Sequence, residues 1–389
     1  VSFPEVPLLG VLPGTGGLTR IADKRKIRRD RTDFFSTVAE GIKGKRAVEW
    51  GLVDRLAPLS RWDEAVAEMA RELADAGEPR AATGQGVALD AMEVGVGEED
   101  VGRHHRVEVR LDRAQRTAER TVTAPDGGPT TPEAARSEGA DWWVLRAFRE
   151  LDLALLELRM NEPEIALVLL RARGPIETWL GADALVAGDG DWFVRETRHF
   201  VRRTLKRLEN SAKSFFAIAD EGTSFAGTGL ELALACDRIY LLNDPDVEVR
   251  LGTSAANAGL FPMANGLTRL QTRFLAEPEA AERVLAQETP FDAETADELG
   301  LATVAADSID WEDELRLAIE ERASYSPDAL TGMESNLRFA GPETLETKIF
   351  GRLSAWQNWI FQRPNAVGER GALTCYGTPT RPEFDIHRT

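Results

Sequence analysis

The chain has 389 residues, 47 Lys+Arg against 65 Asp+Glu, a formal charge of −18 and two Cys. That length suggests two or three domains with ample core, and 43% apolar with 29% charged residues excludes disorder throughout. The negative charge argues against nonspecific nucleic-acid binding, which needs a basic surface.

Local composition narrows the class further. Cys236 and Cys375 are too few for a disulfide framework or a thiolate metal site and point to a reducing cytoplasm. The apolar run Ile165–Leu170 falls far short of the ~18 residues that span a bilayer. His104, His105, His199 and His387 show no HExxH spacing, which speaks against a zinc hydrolase.

In chain order, the opening Val1-Ser2-Phe3-Pro4-Glu5 has no Met, no basic stretch and no signal segment, and reads as though cut mid-domain. Glu5 stands between Pro4 and the apolar Val6-Pro7-Leu8-Leu9. A carboxylate so placed can serve as a general acid or base; the plainer reading is an exposed loop residue. Gly14-Thr15-Gly16-Gly17 lacks the Lys-Ser/Thr ending of a phosphate loop and reads at least as well as a tight turn feeding a helix. The basic run Lys24–Arg31 is either a solvated helix face or a nucleotide-phosphate contact.

Helices are expected over Asp33–Glu40, over Lys45–Trp50 ending at Gly51, and over Asp63–Ala76, where Ala65, Met69 and Leu73 share one face. Residues 77–101 are Gly-rich and read as a linker. Alternating Val107, Val109 and Leu111, then Thr121 and Thr123 around Val122, predict a hairpin. A helix over Trp143–Met160 follows, with Ala147, Leu151, Leu155 and Leu158 at core spacing, then a strand over Ile165–Leu170 buried on both faces. Phe215–Ile218 and Arg238–Leu242 continue the strand-then-helix rhythm of an α/β fold. After residue 310 the pattern is largely helical, with a Pro/Gly-rich tail from Arg363.

Three further stretches carry chemistry or charge. Gly227-Thr228-Gly229-Leu230-Glu231 joins a Gly-rich turn to an apolar helix, where backbone N–H groups can hold an oxyanion; alternatively Glu231 only complements the helix dipole. Gly181-Ala182-Asp183 reads as a turn offering a second free N–H. Arg198, Arg202, Arg203, Lys206 and Arg207 form a second basic cluster at helical spacing, either solvated or phosphate-binding.

The chain also repeats itself. Gly10–Arg20 lies over Gly259–Arg269, an offset of 259 − 10 = 249, sharing Pro13/Pro262 and the ending Gly-Leu-Thr-Arg. In the same frame Ala47, Glu49, Gly51, Leu52 and Trp62 fall on Ala296, Glu298, Gly300, Leu301 and Trp311. A duplicated domain is the expectation. The counterpart of Trp142 in the first copy would lie at 142 − 249 = −107, so the chain reads as an amino-terminally truncated piece of a two-copy protein.

Together these motifs resemble the crotonase (enoyl-CoA hydratase/isomerase) superfamily. The resemblance rests on Gly181–Asp183, Gly227–Ala233, Pro4-Glu5 with Leu9–Gly17, and Ala47–Asp54, and it covers residues 1–75 and about 105–325. It implies two crotonase-like ββα-spiral α/β domains, the first incomplete: 1–80, a linker at 81–104, then 105–325, with a helical carboxyl-terminal region at 326–389. It implies Glu5 as catalytic carboxylate, Ala182, Gly227 and Thr228 as an oxyanion hole of the second copy, and Glu231 and Ser254 as its degenerate positions, since 5 + 249 = 254. Arg28 and Arg29 are the expected coenzyme A contacts.

No cofactor and no metal are implied, the substrate is a CoA thioester, and a homodimer is expected. The two-copy layout, Trp142-Trp143 and the ending Gln362–Gly368 with Gly371–Leu373 resemble members that open 2,3-epoxybenzoyl-CoA with water, releasing formate and a semialdehyde-CoA. Two alternatives stay open: a plain acyl-CoA hydratase or isomerase, and a non-catalytic acyl-CoA-binding protein.

Overall fold

A computed structural model describes residues 1–77, 86–92, 101–103 and 106–387. Residues 81–85, 93–100 and 104 of the expected linker lie outside the described residues. The chain divides into two compact units, Val1–Gly86 and Val87–Thr389.

The first unit is helical among its described residues. A π-helical turn, Glu5–Leu9, ends at Gly10, whose φ of 65° lets its N–H reach back to the Glu5 carbonyl. A second π-helical turn, Arg20–Lys24, leads to α1 (Arg29–Thr37), α2 (Gly44–Glu49) and α3 (Trp62–Ala76). Ile21, Ile27, Phe35, Ile42 and Ala47 form a small core. The helix expected over Asp33–Glu40 thus begins four residues earlier, at Arg29, and takes the end of the basic run as its first turn.

The second unit is built on a sheet of nine strands among the described residues. β2 (Val107–Asp112) and β3 (Thr117–Thr123) form the expected antiparallel hairpin, and β1 (Val101–Arg103), in the stretch expected as linker, pairs antiparallel with β2. β4 (Leu167–Arg173), β5 (Ser214–Ala219), β7 (Arg238–Leu242) and β9 (Val304–Ala306) continue it in parallel, with Leu167 opposite Ser214 and Tyr240 opposite Val304. β5 is buried along its whole length, as a parallel strand covered on both faces must be.

Helices supply the cover. α4 (Pro132–Glu138), α5 (Trp143–Met160), α6 (Ile176–Val186) and α7 (Trp192–Glu209) join the large core, in which Phe148, Leu151, Leu155 and Leu158 of α5 are buried. β6 (Thr223–Ala226) pairs with β8 (Val249–Gly252), Ala226 opposite Gly252, and runs through Gly227 into α8 (Thr228–Leu234). That junction positions the site described below.

The internal repeat reappears in the elements. α9 (Arg269–Arg273), α10 (Pro278–Ala286) and α11 (Ala293–Glu298) begin and end 249 residues after Arg20–Lys24, α1 and α2: 269 − 20, 278 − 29 and 293 − 44 all give 249. α12 (Trp311–Ser324) starts 249 residues after Trp62. Gly51 and Gly300 both stand at φ 75° after the equivalent helices. α13 (Pro327–Leu337) and α14 (Ser354–Ile360) follow, and Arg338 ties this region to the sheet by forking onto Asp237 at 2.8 and 2.7 Å.

Candidate active site

In the second unit, Gly227 stands at φ 51° and ψ −113° between β6 and α8, a backbone state that disfavours any side chain. A Cβ there would also overlap the Asp183 carboxylate. The Asp183 carboxylate takes up the donors of this junction. Its Oδ2 accepts the Thr228 N–H at 2.7 Å and the Ser254 hydroxyl at 2.7 Å, and its Oδ1 accepts the Thr228 hydroxyl.

The three donors expected of a second-copy oxyanion hole are all engaged within the protein. Ala182 lies inside α6, where its N–H belongs to the helix, because Gly181–Asp183 continues the helix instead of turning. Ala182 lines a cleft of about 630 Å³ beside Trp142 and Trp143. The remaining donors are committed as well: Thr228 N–H to Asp183, and Gly227 N–H to the Gly252 carbonyl at 2.9 Å.

Glu231, on α8, is 1% exposed. Asn257 Nδ2 donates to its Oε1 at 2.8 Å and Arg269 Nη1 to its Oε2 at 2.5 Å. Arg269 also pairs with Glu209 at 2.6 Å and donates to the Phe261 carbonyl at 2.9 Å. Burial pushes the Glu231 and Glu209 carboxyls up, and the Arg269 charge opposes the push in both. Burial likewise raises Asp183 to about 6, with hydrogen bonds from Thr228 and Ser254 pulling it back and the Glu231 charge adding to the rise. Both Glu231 oxygens are engaged, so it serves as a strut and is not placed to act as a base.

Asn257, Arg269 and Glu209 escaped the sequence reading. Arg269 alone left a signal there, since it closes the Gly-Leu-Thr-Arg that both copies keep.

In the first unit Glu5 is half-buried in its π-helical turn, which packs against α1. Its Oε2 is shielded from solvent and has no hydrogen-bond partner among the described residues. The match of Glu5 to Ser254 depends on where counting starts. Ile42 exchanges backbone hydrogen bonds with Val1, and Phe291 does so with Leu251. These give offsets of 291 − 42 = 249 and 251 − 1 = 250. Counted from the strand, Glu5 falls on Ala255; counted from Gly10 it falls on Ser254. Neither is a carboxylate.

Of the expected coenzyme A contacts, Arg28 forks onto Asp30 at 2.5 and 2.6 Å, which holds the Asp30 carboxyl at about 2. Arg29 is exposed and without a partner among the described residues.

No protein-family model matches the chain. A benzoyl-CoA-dihydrodiol lyase from Aromatoleum evansii is 48% identical over 393 residues, covering 100% of this chain and 70% of that protein. The chain belongs to the benzoyl-CoA-dihydrodiol lyase family.

Solved structures give the fold of this family member independently. An enoyl-CoA hydratase from Geobacillus kaustophilus superposes with a TM-score of 0.53 at 16% identity, covering 74% of this chain and 98% of that one. One from Bacillus anthracis does so with a TM-score of 0.51 at 16% identity, covering 74% and 100%. The lyase-family chain thus has the crotonase fold. Among the described residues no helix is long and apolar enough to cross a membrane, and no group of three His, Cys, Asp or Glu could hold a metal ion.

Proposed function

We propose that the chain works as a cofactor-free ring-opening lyase on 2,3-epoxybenzoyl-CoA, with Glu5 as an acid–base carboxylate. The observation that carries this reading is 48% identity along the whole chain to a benzoyl-CoA-dihydrodiol lyase. Two waters are consumed as the ring opens, one ring carbon leaves as formate and an aliphatic semialdehyde-CoA remains. With the epoxide oxygen they supply the two oxygens of formate and the aldehyde oxygen. Glu5 suits proton transfer to or from one of these waters, because its shielded oxygen spends no capacity on the protein's own donors.

The second copy supports the fold and does not turn over. Its Thr228 donors are taken up by Asp183, and its Glu231 is locked by Asn257 and Arg269. Arg29, the unpaired member of the Arg28–Arg29 pair, is the one suited to meet a coenzyme A phosphate.

The test is formate release from 2,3-epoxybenzoyl-CoA by the full-length protein. Glu5→Gln should slow release by about 100-fold or more, the usual scale of a lost general acid or base, with acyl-CoA binding and the unfolding midpoint retained. Formate release that survives Glu5→Gln would remove Glu5 from the mechanism. Absence of release by the wild-type enzyme would remove the substrate assignment.

A further inference from the structure

The Gly-rich turn that follows Glu5 is left unused by that reading, and one of its glycines needs a reason. Gly16 stands at φ 99°, where glycine is the default residue. Gly17 does not: it opens a short helical turn, Gly17–Thr19, on backbone that any residue adopts. A side chain at Gly17 would instead run into Phe3. Its Cβ would come within 2.9 Å of Phe3 Cζ and of Pro13 Cβ, closer than carbon atoms pack.

Phe3 has no room to swing aside. Its ring lies 4.9 Å from the Phe35 ring, which belongs to the small core of this unit. The stretch before Phe3 is held as well, since the Ile42 N–H donates to the Val1 carbonyl at 2.9 Å. Pro4, with its ring-fixed φ, joins Phe3 to the π-helical turn of Glu5. Glu5 Oε2 has no hydrogen-bond partner among the described residues, so the protein places it through the backbone that carries it. Phe3 is the side chain that fastens this backbone to the core.

The second copy supplies the contrast. The counterpart of Phe3 there is Gly252 or Thr253, since 3 + 249 = 252 and 3 + 250 = 253, and neither is aromatic. The counterpart of Gly17 is Gly266, at 17 + 249, which stands at φ 88° with nothing within 4 Å of a Cβ. The contact of ring against glycine thus accompanies the carboxylate in one copy and is lost with it in the other.

We infer that Phe3 and Gly17 are positioning residues for Glu5, Gly17 by leaving the space that the Phe3 ring fills. The inference rests on the reading of Glu5 as the acid–base carboxylate. A reacting group misplaced by about 1 Å can lose about 100-fold in rate, so a smaller displacement passed on from Phe3 also registers.

The experiment measures formate release by the full-length protein in Gly17→Ala, in Phe3→Leu, and in each combined with Glu5→Gln. Gly17→Ala pushes the ring away and should lower kcat about tenfold with KM unchanged. Phe3→Leu leaves a gap instead and should lower kcat by a smaller factor, again at constant KM; it carries the test if Gly17→Ala does not fold. In the Glu5→Gln background neither substitution should slow release further, because the group they displace is gone. Wild-type kcat in either single variant would overturn the pairing while leaving Glu5 in place, as would a change confined to KM or a loss that recurs in full on top of Glu5→Gln. Wild-type release by Glu5→Gln would remove Glu5 and its positioning residues together.

Discussion

α3 and α12 are the same helix twice, opened by Trp62 and Trp311, and they end up in opposite situations. On α12, Trp311, Leu315, Ala318 and Ile319 pack onto Leu167, Leu169, Phe216, Ile218 and Tyr240 of the sheet. On α3 the corresponding positions are open: Trp62 is 55% exposed and Val66 48%, Ala70 is exposed and Met69 only half-buried. No residue of α3 is buried, and its apolar side borders an open groove of about 560 Å³. Both helices form because their apolar residues recur at helical spacing, a local property. Only one is held by tertiary packing, which supplies most of a helix's stability in a folded protein. Periodicity reveals which face of a helix is meant for a core and is silent on whether a core is there.

The largest test of this contrast uses the arginine that both copies keep. Arg269 is buried between Glu231 and Glu209, whereas Arg20, its match at 269 − 249 = 20, is exposed. Arg269→Met should cost about 3–5 kcal/mol, because it strands two buried carboxylates. Arg20→Met should stay within about 0.5 kcal/mol. Urea unfolding of the two variants measures the difference. Comparable losses would mean that Arg20 also meets carboxylates in solution.

A smaller effect probes the helix faces directly. Ile319→Ala on α12 should cost about 2–4 kcal/mol, the transfer and cavity cost of an aliphatic side chain at the sheet. Val66→Ala on α3 should change stability by no more than about 0.5 kcal/mol. A large loss at Val66 would show that the groove beside α3 is covered when the protein is in solution.

These comparisons also show where the sequence was legible. Trp143–Met160 is a helix to the residue, because Ala147, Leu151, Leu155 and Leu158 declare a buried stripe that the sheet then fills. The start of α1 was hidden, since Arg28–Arg31 carry charge without apolar period; burial of Ile27 and Phe35 explains why the chain is ordered there. Gly181 suggested a turn, yet α6 runs through it. A glycine costs a helix about 1 kcal/mol, and burial of Trp179, Leu185 and Val186 outweighs that. The Asp183–Thr228–Ser254 and Glu231–Asn257–Arg269 groupings join residues far apart in sequence. Such contacts are made by topology and leave no local pattern to read.

The gentlest prediction concerns two carboxyl groups. Asp183 in the second unit accepts three hydrogen bonds, whereas the Glu5 carboxylate in the first has no partner among the described residues. The folded-state value of Asp183, about 6, lies above its ordinary 3.8, chiefly through burial. Its contribution to stability is therefore complete below 3.8 and is lost as pH rises through about 6. The slope cannot exceed about 1.4 kcal/mol per pH unit for a single proton. Asp30 shifts the other way, and Glu209 and Glu231 the same way, so the whole-protein curve mixes them. Subtracting the curve of Asp183→Asn isolates the one group. Asn keeps the shape without titrating, so the wild type should lose stability relative to this variant between pH 4 and 6, when both are unfolded in urea. A difference that stays flat across that range would mean that Asp183 is already ionised at its ordinary pH. The three donors around it would then outweigh burial, and the carboxyl would be fully charged in the folded protein.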